Sequence, residues 1–361
     1  MQAIIALPSN RPWLLDMELN FRSDNETPAA PAVMEALVKA NRGSAHAYAE
    51  DDWSRRLDAA FSERFETEVS VVPMATGTVC NAIALACVSP PWGSVFCHRN
   101  AHVYSDESGA PEFFGNGLRL VPVEGANGKL PRRALESAIY ASEGHGVHSY
   151  IPAAVTVTQS TESGTVYDAD EISAIGAVAK DHGIAMHLDG ARFANALASS
   201  GATPAEMSWR AGVDLMSFGA SKNGCMAAEA LIFFNRHNLR EHAERLRKRS
   251  GHLISKMRYV SAQLLACLED DLWLHLATHA NRQAKKFADA AEAHPSASLE
   301  FPVQANEVFL RWTAAGFDAL RAKGVEFHMW PGHDDLARFV FAHSTDEKAT
   351  DKLCRILKAA G

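Results

Sequence analysis

The stretch DADEISAIGAVAKDHGIAMHLD, from Asp168 to Asp189, decides the fold class of this chain. Its first part places Asp168 and Glu171 in capping-box spacing, with apolar residues on one face and Gly183 just past the end, which predicts a helix. The run Ile184–Leu188 that follows is short and mostly apolar, which is typical of a buried strand. A helix that leads directly into a buried strand is the repeating unit of α/β proteins, so we expect a sheet covered by helices.

The same alternation of apolar runs and helical patterns continues on both sides of this stretch. Six more runs have the length and composition of buried strands: Val69–Met74, Ser94–Cys97, Leu118–Val123, Ala153–Thr158, Leu215–Phe218 and Ala230–Phe234. Strands that alternate with helices form a mostly parallel sheet, because each helix returns the chain to the same end of the sheet. The carboxyl ends of these strands are where we expect a ligand.

The pattern changes after Asn235. Apolar residues recur at helical spacing from Leu246 to Leu264, which predicts a long helix that connects two domains. A small α/β lobe is predicted beyond it, from strands at Val308–Trp312, Val325–Met329 and Arg338–His343, a helix at Ala315–Lys323 and a last helix from Asp346. We therefore expect an N-terminal arm over residues 1–20, a large domain over residues 21–240 and a small C-terminal domain over residues 241–361.

Composition excludes several classes of protein. With 35 Lys and Arg against 43 Asp and Glu and no dense basic run, we expect no nucleic-acid partner. No run of about eighteen apolar residues occurs, and the start of the chain lacks the basic and apolar regions of a signal peptide, so no membrane association is expected. The six cysteines lie far apart without a C-x-x-C pair and are expected to be buried, reduced thiols. By elimination, we expect a cytoplasmic protein.

Two strands end in residues suited to catalysis. The strand that ends on Asp189 is followed by Arg192, and the strand Leu215–Phe218 runs through small residues into Lys222. Strand ends of this kind face the ligand crevice of an open α/β sheet. Taken alone, the Asp and Arg are also explained as a solvated loop pair, and the lysine as an ordinary surface residue.

Two further segments are candidates for binding an anion and an aromatic ring. After the strand Val69–Met74, the residues Gly77 and Thr78 begin a helix whose free N–H groups suit a phosphate, although helix capping alone would explain them. His102 is suited to stacking on a flat cofactor or to an ordinary loop position. His98 and His102 also have metal-ligand spacing, but no H-E-x-x-H motif or third ligand accompanies them, so we expect no metal.

The order of these four features matches what pyridoxal phosphate requires of a protein. Lys222 is the candidate for a Schiff base with the cofactor, Asp189 for pairing with the pyridine nitrogen, and the helix at Thr78 for the phosphate. The chain lacks both G-x-G-x-x-G after a strand and G-x-x-x-x-G-K-[ST], so a nucleotide-binding interpretation has no fingerprint.

From about Asn20 to His343 the sequence resembles the threonine aldolase and β-eliminating lyase family of fold-type-I pyridoxal-phosphate enzymes. The motifs that carry the resemblance are Phe21-Arg-Ser-Asp-Asn25, Met74-Ala-Thr-Gly-Thr78, Ala101-His-Val-Tyr104, Thr161-Glu-Ser-Gly-Thr-Val-Tyr167, His187-Leu-Asp-Gly-Ala-Arg192 and Ser217-Phe-Gly-Ala-Ser-Lys-Asn-Gly224. It implies a large domain with a mostly parallel, mixed sheet flanked by helices, a small C-terminal α/β domain and bound pyridoxal phosphate.

The resemblance also implies roles for individual residues. His102 would stack on the pyridine ring and Asp189 bind its nitrogen, Lys222 would form the Schiff base, and Gly77 and Thr78 would hold the phosphate. Substrate contacts are implied for four residues, namely Ser23, Arg192, Arg338 and Tyr48. Arg192 would reach the ring oxygen or the substrate carboxylate, since guanidinium geometry suits a carboxylate. Tyr48 would cross to a partner subunit.

The expected reaction is the cleavage of L-threonine, L-allo-threonine and related β-hydroxy-α-amino acids, phenylserine types included, to glycine and an aldehyde. His102, directly or through water, is the expected base for the β-hydroxyl. Many family members carry a histidine where this chain has Glu162, so the share of Glu162 in base catalysis stays open. The family implies a homodimer or homotetramer with active sites at the dimer interface. Another pyridoxal-phosphate β-eliminating lyase, or a catalytically silent ligand-binding protein of the same fold, remains the alternative.

Overall fold

The computed structural model describes residues 19–144 and 146–360 of the chain. The N-terminal arm predicted over residues 1–20 therefore lies outside the described residues except for Leu19 and Asn20. Asn20 forms a parallel bridge to Glu326, so the start of the described chain is held against the C-terminal part.

A seven-stranded sheet forms the centre of the described structure. Its strands are β1 (Ser70–Met74), β2 (Gly93–His98), β3 (Arg119–Val123), β4 (Ile151–Thr158), β5 (Ala185–Gly190), β6 (Leu215–Gly219) and β7 (Glu229–Phe233). Their order is β1-β7-β6-β5-β4-β2-β3, with β7 antiparallel to both neighbours and the other neighbouring pairs parallel. The seven strands predicted between residues 69 and 234 are all present in this sheet, and the predicted α/β fold class is confirmed.

Helices cover the sheet and extend beyond it. Their bounds are α1 (Pro31–Ala40), α2 (Asp52–Arg55), α3 (Leu57–Phe65), α4 (Gly77–Val88), α5 (His102–Ser105), α6 (Ala110–Phe114), α7 (Arg132–Ser142), α8 (Ala169–Asp181), α9 (Phe193–Ser200), α10 (Arg240–Arg249), α11 (Arg258–Leu268), α12 (Leu272–Glu292), α13 (Ala314–Ala322) and α14 (Glu347–Ala359). At the start of α8 the capping box between Asp168 and Glu171 is formed, as predicted.

The prediction of one long helix from Leu246 to Leu264 is wrong. α10 ends at Arg249 and α11 begins at Arg258, with a non-helical segment between them. Gly251 has φ +80°, a left-handed conformation that ends a helix and that glycine adopts without steric cost. Apolar residues in a packed loop can mimic helical spacing, which is why the periodicity alone did not reveal the break.

The C-terminal part has its own sheet and its own core. Four short strands pair antiparallel in the order β10-β11-β9-β8: β8 (Ser298–Leu299), β9 (Glu307–Arg311), β10 (His328–Met329) and β11 (Leu336–Val340). Only the last two residues of the strand predicted at 325–329 lie in β10. The second half of α12 packs through Phe287 against Phe339 and Phe341, and this cluster is separate from the core beneath the large sheet.

Two expectations from composition can be compared with the structure. Among the described residues, no helix combines the length and apolar composition needed to cross a lipid bilayer. The six cysteines are free thiols, five of them buried, while Cys354 in α14 is partly exposed.

Candidate active site

A cleft lies at the carboxyl ends of the parallel strands, where a ligand was expected. Its walls carry four carboxyl side chains, a lysine, an arginine and a histidine. Seven of the predicted residues line it: Gly77, Thr78, His102, Glu162, Asp189, Arg192 and Lys222. A larger cavity between α1, α3 and α11 has mainly alanine, leucine and surface-charged walls. The convergence of reactive groups therefore identifies the smaller cleft as the candidate site.

Lys222 enters the cleft from a short turn that follows β6. The turn is fixed from both sides, because Asn223 donates its side-chain amide to the carbonyl of Trp273 and Gly224 has φ +94°. A side chain at Gly224 would meet Leu276 and would also be strained by this φ. Within the described residues, the Lys222 ammonium makes no hydrogen bond or ion pair. The backbone is thus held in place while the amine stays available to a ligand.

A hydrogen-bonded chain connects Asp189 at the end of β5 to His102 at the start of α5. The side-chain amide of Asn81 donates to Asp189 Oδ2 at 2.8 Å and to Glu107 Oε1 at 2.9 Å. Glu107 Oε1 lies 2.8 Å from His102 Nδ1. Asn81, Glu107 and Asp189 are buried, so the amide separates two carboxylates that would otherwise repel each other.

These hydrogen bonds affect the protonation of His102. The hydrogen bond to Glu107 raises the pKa of His102, while burial raises the pKa of Glu107. With Nδ1 held as the donor to Glu107, the ring presents Nε2 as its free nitrogen. Neither Asn81 nor Glu107 was found from the sequence. Their only signal is spacing, since Asn81 follows Thr78 by about one helical turn and Glu107 lies just past α5.

Glu162 lies directly beside His102, although the two are far apart in sequence. Its Oε1 accepts hydrogen bonds from the backbone N–H of His102 at 2.7 Å and from the hydroxyl of Thr158 at 2.9 Å. Its Oε2 is buried and has no partner among the described residues. Burial raises the pKa of Glu162 to about 7, with the charge of Asp189 adding to the effect. The carboxyl can therefore exchange a proton near neutral pH.

The N-terminus of α4 is uncapped, as the predicted phosphate site at Gly77 and Thr78 requires. Residues Gly77 and Thr78 are the first two of this helix, and no side-chain oxygen caps it. A methyl group built on Gly77 would meet nothing within 4 Å, so there is open space beside the first turn of the helix. Free N–H groups and the positive end of the helix dipole are suited to a phosphate.

Arg192 lies at the edge of the cleft and is already paired with acids. Its Nε and Nη2 donate to Asp24 at 2.8 and 3.1 Å, and its Nη1 lies 3.2 Å from Glu307 Oε2. Burial opposes the charge, but Asp24 and Glu307 outweigh it and raise the pKa of Arg192. Arg338 reaches Glu307 Oε1 at 3.5 Å and is not part of the cleft wall. Asp24 and Glu307 were not anticipated as site residues.

Ser23 and Tyr48 do not line the cleft of their own chain. Ser23 accepts a hydrogen bond from the backbone N–H of Asn25, in the turn that presents Asp24 to Arg192. Tyr48 is half exposed, with φ +58°, and its ring lies 4.7 Å from the ammonium of Lys248. The proposed substrate contact of Tyr48 would therefore have to be made in another subunit.

The zinc interpretation of His98 and His102 finds no support in their contacts. His98 Nε2 lies 3.0 Å from the carbonyl of Gly125, and Nδ1 accepts from the N–H of Asn100. Both nitrogens of His98 are thus engaged, while His102 Nδ1 faces Glu107. No group of three or more metal-ligating side chains occurs in the part of the chain that the structure describes.

The donor set of the cleft fits pyridoxal phosphate. Lys222 offers an unengaged amine for the aldehyde, and the open N-terminus at Gly77 offers N–H groups for the phosphate. Asp189 is buried and held by Asn81 and the N–H of Ala191, so it can face a protonated pyridine nitrogen. These groups come from separate strands and helices, and they meet only because the strands end at one edge of the sheet.

Comparisons with known proteins agree with this geometry. The family model described as beta-eliminating lyase matches residues 20–315. A low-specificity L-threonine aldolase of Pseudomonas aeruginosa is 42% identical over 345 residues, which cover 96% of this chain and 99% of that protein. One from Saccharomyces cerevisiae is 27% identical over 86% of this chain and 79% of that protein. The structure of a Leishmania major threonine aldolase matches 94% of this chain and 99% of its own length, with a TM-score of 0.89 and 28% identity.

Proposed function

The chain belongs to the β-eliminating lyase family, and we propose that it is a pyridoxal-phosphate-dependent threonine aldolase. It cleaves the Cα–Cβ bond of L-threonine, L-allo-threonine and related β-hydroxy-α-amino acids, phenylserine types included, and releases glycine and an aldehyde. The observation that carries the proposal is the meeting of Lys222, Asp189 and the open N-terminus of α4 in one cleft.

Three groups hold the cofactor in this proposal. Lys222 would hold its aldehyde carbon through a Schiff base, Asp189 would pair with its ring nitrogen, and Gly77 and Thr78 would bind its phosphate. His102 would stack on its ring. When bound, pyridoxal phosphate supplies an electron-withdrawing ring that takes up the electron pair released at Cα.

The protein's own part is to orient the substrate and move one proton. Ser23, Arg192 and Arg338 bind the substrate carboxylate and so fix which bond at Cα stands perpendicular to the ring. His102 Nε2, directly or through water, takes the β-hydroxyl proton as the aldehyde leaves, and Glu107 stabilises the charged imidazole that results. Glu162 contacts the backbone of His102 and is placed to share this proton.

A second copy of the chain completes the site in this proposal. The cleft contains four carboxyl groups, namely Glu107, Glu162, Asp189 and Glu229, against the cations Lys222 and Arg192. Arg192 is already paired with Asp24 and Glu307, so little positive charge remains for a phosphate and a substrate carboxylate. This deficit supports a homodimer or homotetramer with active sites at the dimer interface, where Tyr48 of one subunit reaches the site of the other.

Domain limits and location are part of the same proposal. We place a large cofactor-binding domain at residues 21–240 and a small domain at residues 241–361, the separate hydrophobic cluster around Phe287 supporting a distinct C-terminal unit. The cytoplasm is the proposed location, and the free cysteines of the chain are compatible with its reducing conditions.

Product analysis tests the proposed reaction. The purified chain, supplied with pyridoxal phosphate, is incubated with L-threonine, L-allo-threonine or a β-phenylserine, and glycine and aldehyde are quantified. Equal molar release of both products is expected. Release of ammonia and a keto acid without glycine would indicate a β-eliminating lyase of other specificity, and no product from any substrate would refute the aldolase proposal.

A further inference from the structure

Four buried or partly buried charges form a row where the large sheet meets the small one. Asp24 pairs with Arg192, Arg192 with Glu307, and Glu307 with Arg338. Arg192 follows β5 of the large sheet, whereas Glu307 and Arg338 lie on β9 and β11 of the small sheet. Glu307 is only 1% exposed, so its charge interacts with its neighbours through protein and not through water.

The geometry of β9 and β11 places Glu307 next to Arg338. Glu307 is paired in register with Val340, and Arg338 precedes Val340 by two residues on the same strand. Side chains two apart on a strand point to the same face, so Glu307 and Arg338 are diagonal neighbours. This register sets the contact between the Arg338 guanidinium and Glu307 Oε1 at 3.5 Å.

Glu307 is held by charge but not by hydrogen bonds. Both of its oxygens are buried without a hydrogen-bond partner among the described residues, and so is Nε of Arg338. A buried carboxylate in this condition has lost the hydrogen bonds of water without replacing them. The guanidinium of Arg338 therefore keeps donor capacity for another carboxylate, while its charge is already neutralised by Glu307.

The balance of charge decides what the site can bind. Two arginines face two carboxylates, so the row is neutral before any ligand arrives. A substrate carboxylate brings a further negative charge close to that of Glu307. Like charges at this separation in a buried site oppose each other, whereas without Glu307 the row would carry one unmatched positive charge.

We propose that Glu307 is an internal competitor for the substrate carboxylate and thereby sets the affinity of this enzyme for amino acids. The inference rests on the proposed function, because it takes Arg192 at the edge of the cleft and Arg338, which lies outside the cleft wall, as the residues that bind the substrate carboxylate. Glu307 withdraws positive charge from both arginines, and a substrate must draw Arg338 away from Glu307 to bind. Glu307 is a specificity-determining residue that touches the arginines, and it takes no part in proton transfer.

Glu307→Gln in the cofactor-loaded enzyme tests the proposal. Glutamine keeps the size of the side chain and an oxygen beside Arg338, but it removes the competing charge. The affinity for glycine, measured by titration calorimetry, is expected to tighten at least about tenfold. Affinity for 2-aminoethanol, which has no carboxylate, is expected to stay unchanged. In turnover, KM for L-threonine is expected to fall as glycine affinity rises, while kcat changes little.

Glu300→Gln is the matched control. Glu300 also forms an ion pair beside the small sheet, with Arg311 at 2.8 Å, but it is about one-third exposed. Its partner Arg311 lies at the opposite end of β9 from Glu307. Glu300→Gln should leave glycine affinity unchanged. If Glu307→Gln lowers the thermal stability too far for titration, Glu307→Ala removes the charge by another route and is expected to act in the same direction.

The outcomes separate this inference from the proposed function. Glycine affinity that is unchanged or weaker in Glu307→Gln, in an enzyme that cleaves L-threonine, overturns the competitor role alone. Tighter glycine binding in the variant of an enzyme that releases no aldehyde supports the carboxylate subsite and refutes the aldolase reaction. Equal tightening for glycine and 2-aminoethanol would also overturn the inference, because the effect would not depend on a carboxylate.

Discussion

Glu162→Gln gives a prediction whose size follows from the structure. Burial raises the pKa of Glu162 from its ordinary value of 4.5 to about 7. Between these values the folded protein keeps a proton on the carboxyl that the unfolded chain has lost. The free energy of unfolding therefore falls as the pH rises from 4.5 to 7. Above pH 7 it is lowered by the full free-energy cost of burying the ionised carboxylate. A factor of ten in an ionisation constant is about 1.4 kcal/mol, so this cost is about 3 kcal/mol.

The assay compares thermal unfolding of the wild type and Glu162→Gln across this range of pH, on cofactor-free protein. Glutamine does not titrate, so the variant should gain stability relative to the wild type by about 3 kcal/mol between pH 4.5 and 8, which is several degrees in Tm. Glu136→Gln is the control and should show no such gain, because Glu136 forms a solvent-accessible ion pair with Arg132 on α7. A stability difference that stays constant with pH, or that moves in the opposite direction, would refute the buried titrating carboxyl.

The same variant tests whether Glu162 shares in catalysis. If the ionised carboxyl helps to take the β-hydroxyl proton, kcat/KM of the wild type rises with pH through about 7, and this rise is lost in Glu162→Gln. A variant that keeps the rise, while showing the stability effect, would leave proton transfer to His102 alone.

Two further substitutions address the remaining groups of the site. Glu107→Gln removes the charged acceptor of His102, so the pKa of His102 should fall and the acid limb of kcat/KM should move to lower pH. An unmoved limb, with kcat unchanged, would contradict the positioning role of Glu107. Gly77→Val fills the open space at the start of α4 and should weaken pyridoxal-phosphate binding at least about tenfold without loss of thermal stability. Gly144→Val also enters open space, but outside the cleft, and should leave cofactor affinity unchanged, so equal effects of the two would count against the phosphate cup.

The large sheet could be predicted from the sequence because its strands are buried on both faces. Runs such as Ala230–Phe234 are uniformly apolar, and this signal does not depend on distant residues. The break after α10 could not be predicted in the same way, because Leu253, Ile254 and Met257 keep nearly helical spacing in a non-helical segment, although Ile254 is 41% exposed. Short strands such as β10 carry too few residues for a period to be read.

The candidate site could be predicted only where the reactive residue follows its own strand. Asp189 and Lys222 stand at strand ends, so the topology alone brings them together. Glu107 and Glu307 depend on packing between elements that are distant in sequence, and no spacing rule connects them to their partners. Glu162 follows β4 and His102 follows β2, and these two residues come together because β2 and β4 are neighbours in the sheet.

The measurement that tests the central claim most directly compares the wild type with Lys222→Ala in one cuvette. Each protein receives pyridoxal phosphate, its absorbance spectrum is recorded, and L-threonine is added with a coupled assay for acetaldehyde; Lys180→Ala, on the surface helix α8, serves as the control lysine. We expect the wild type and Lys180→Ala to show the shifted absorbance of the lysine-bound cofactor and to release acetaldehyde, and Lys222→Ala to do neither. A Lys222→Ala protein that keeps the band and the activity would contradict the account.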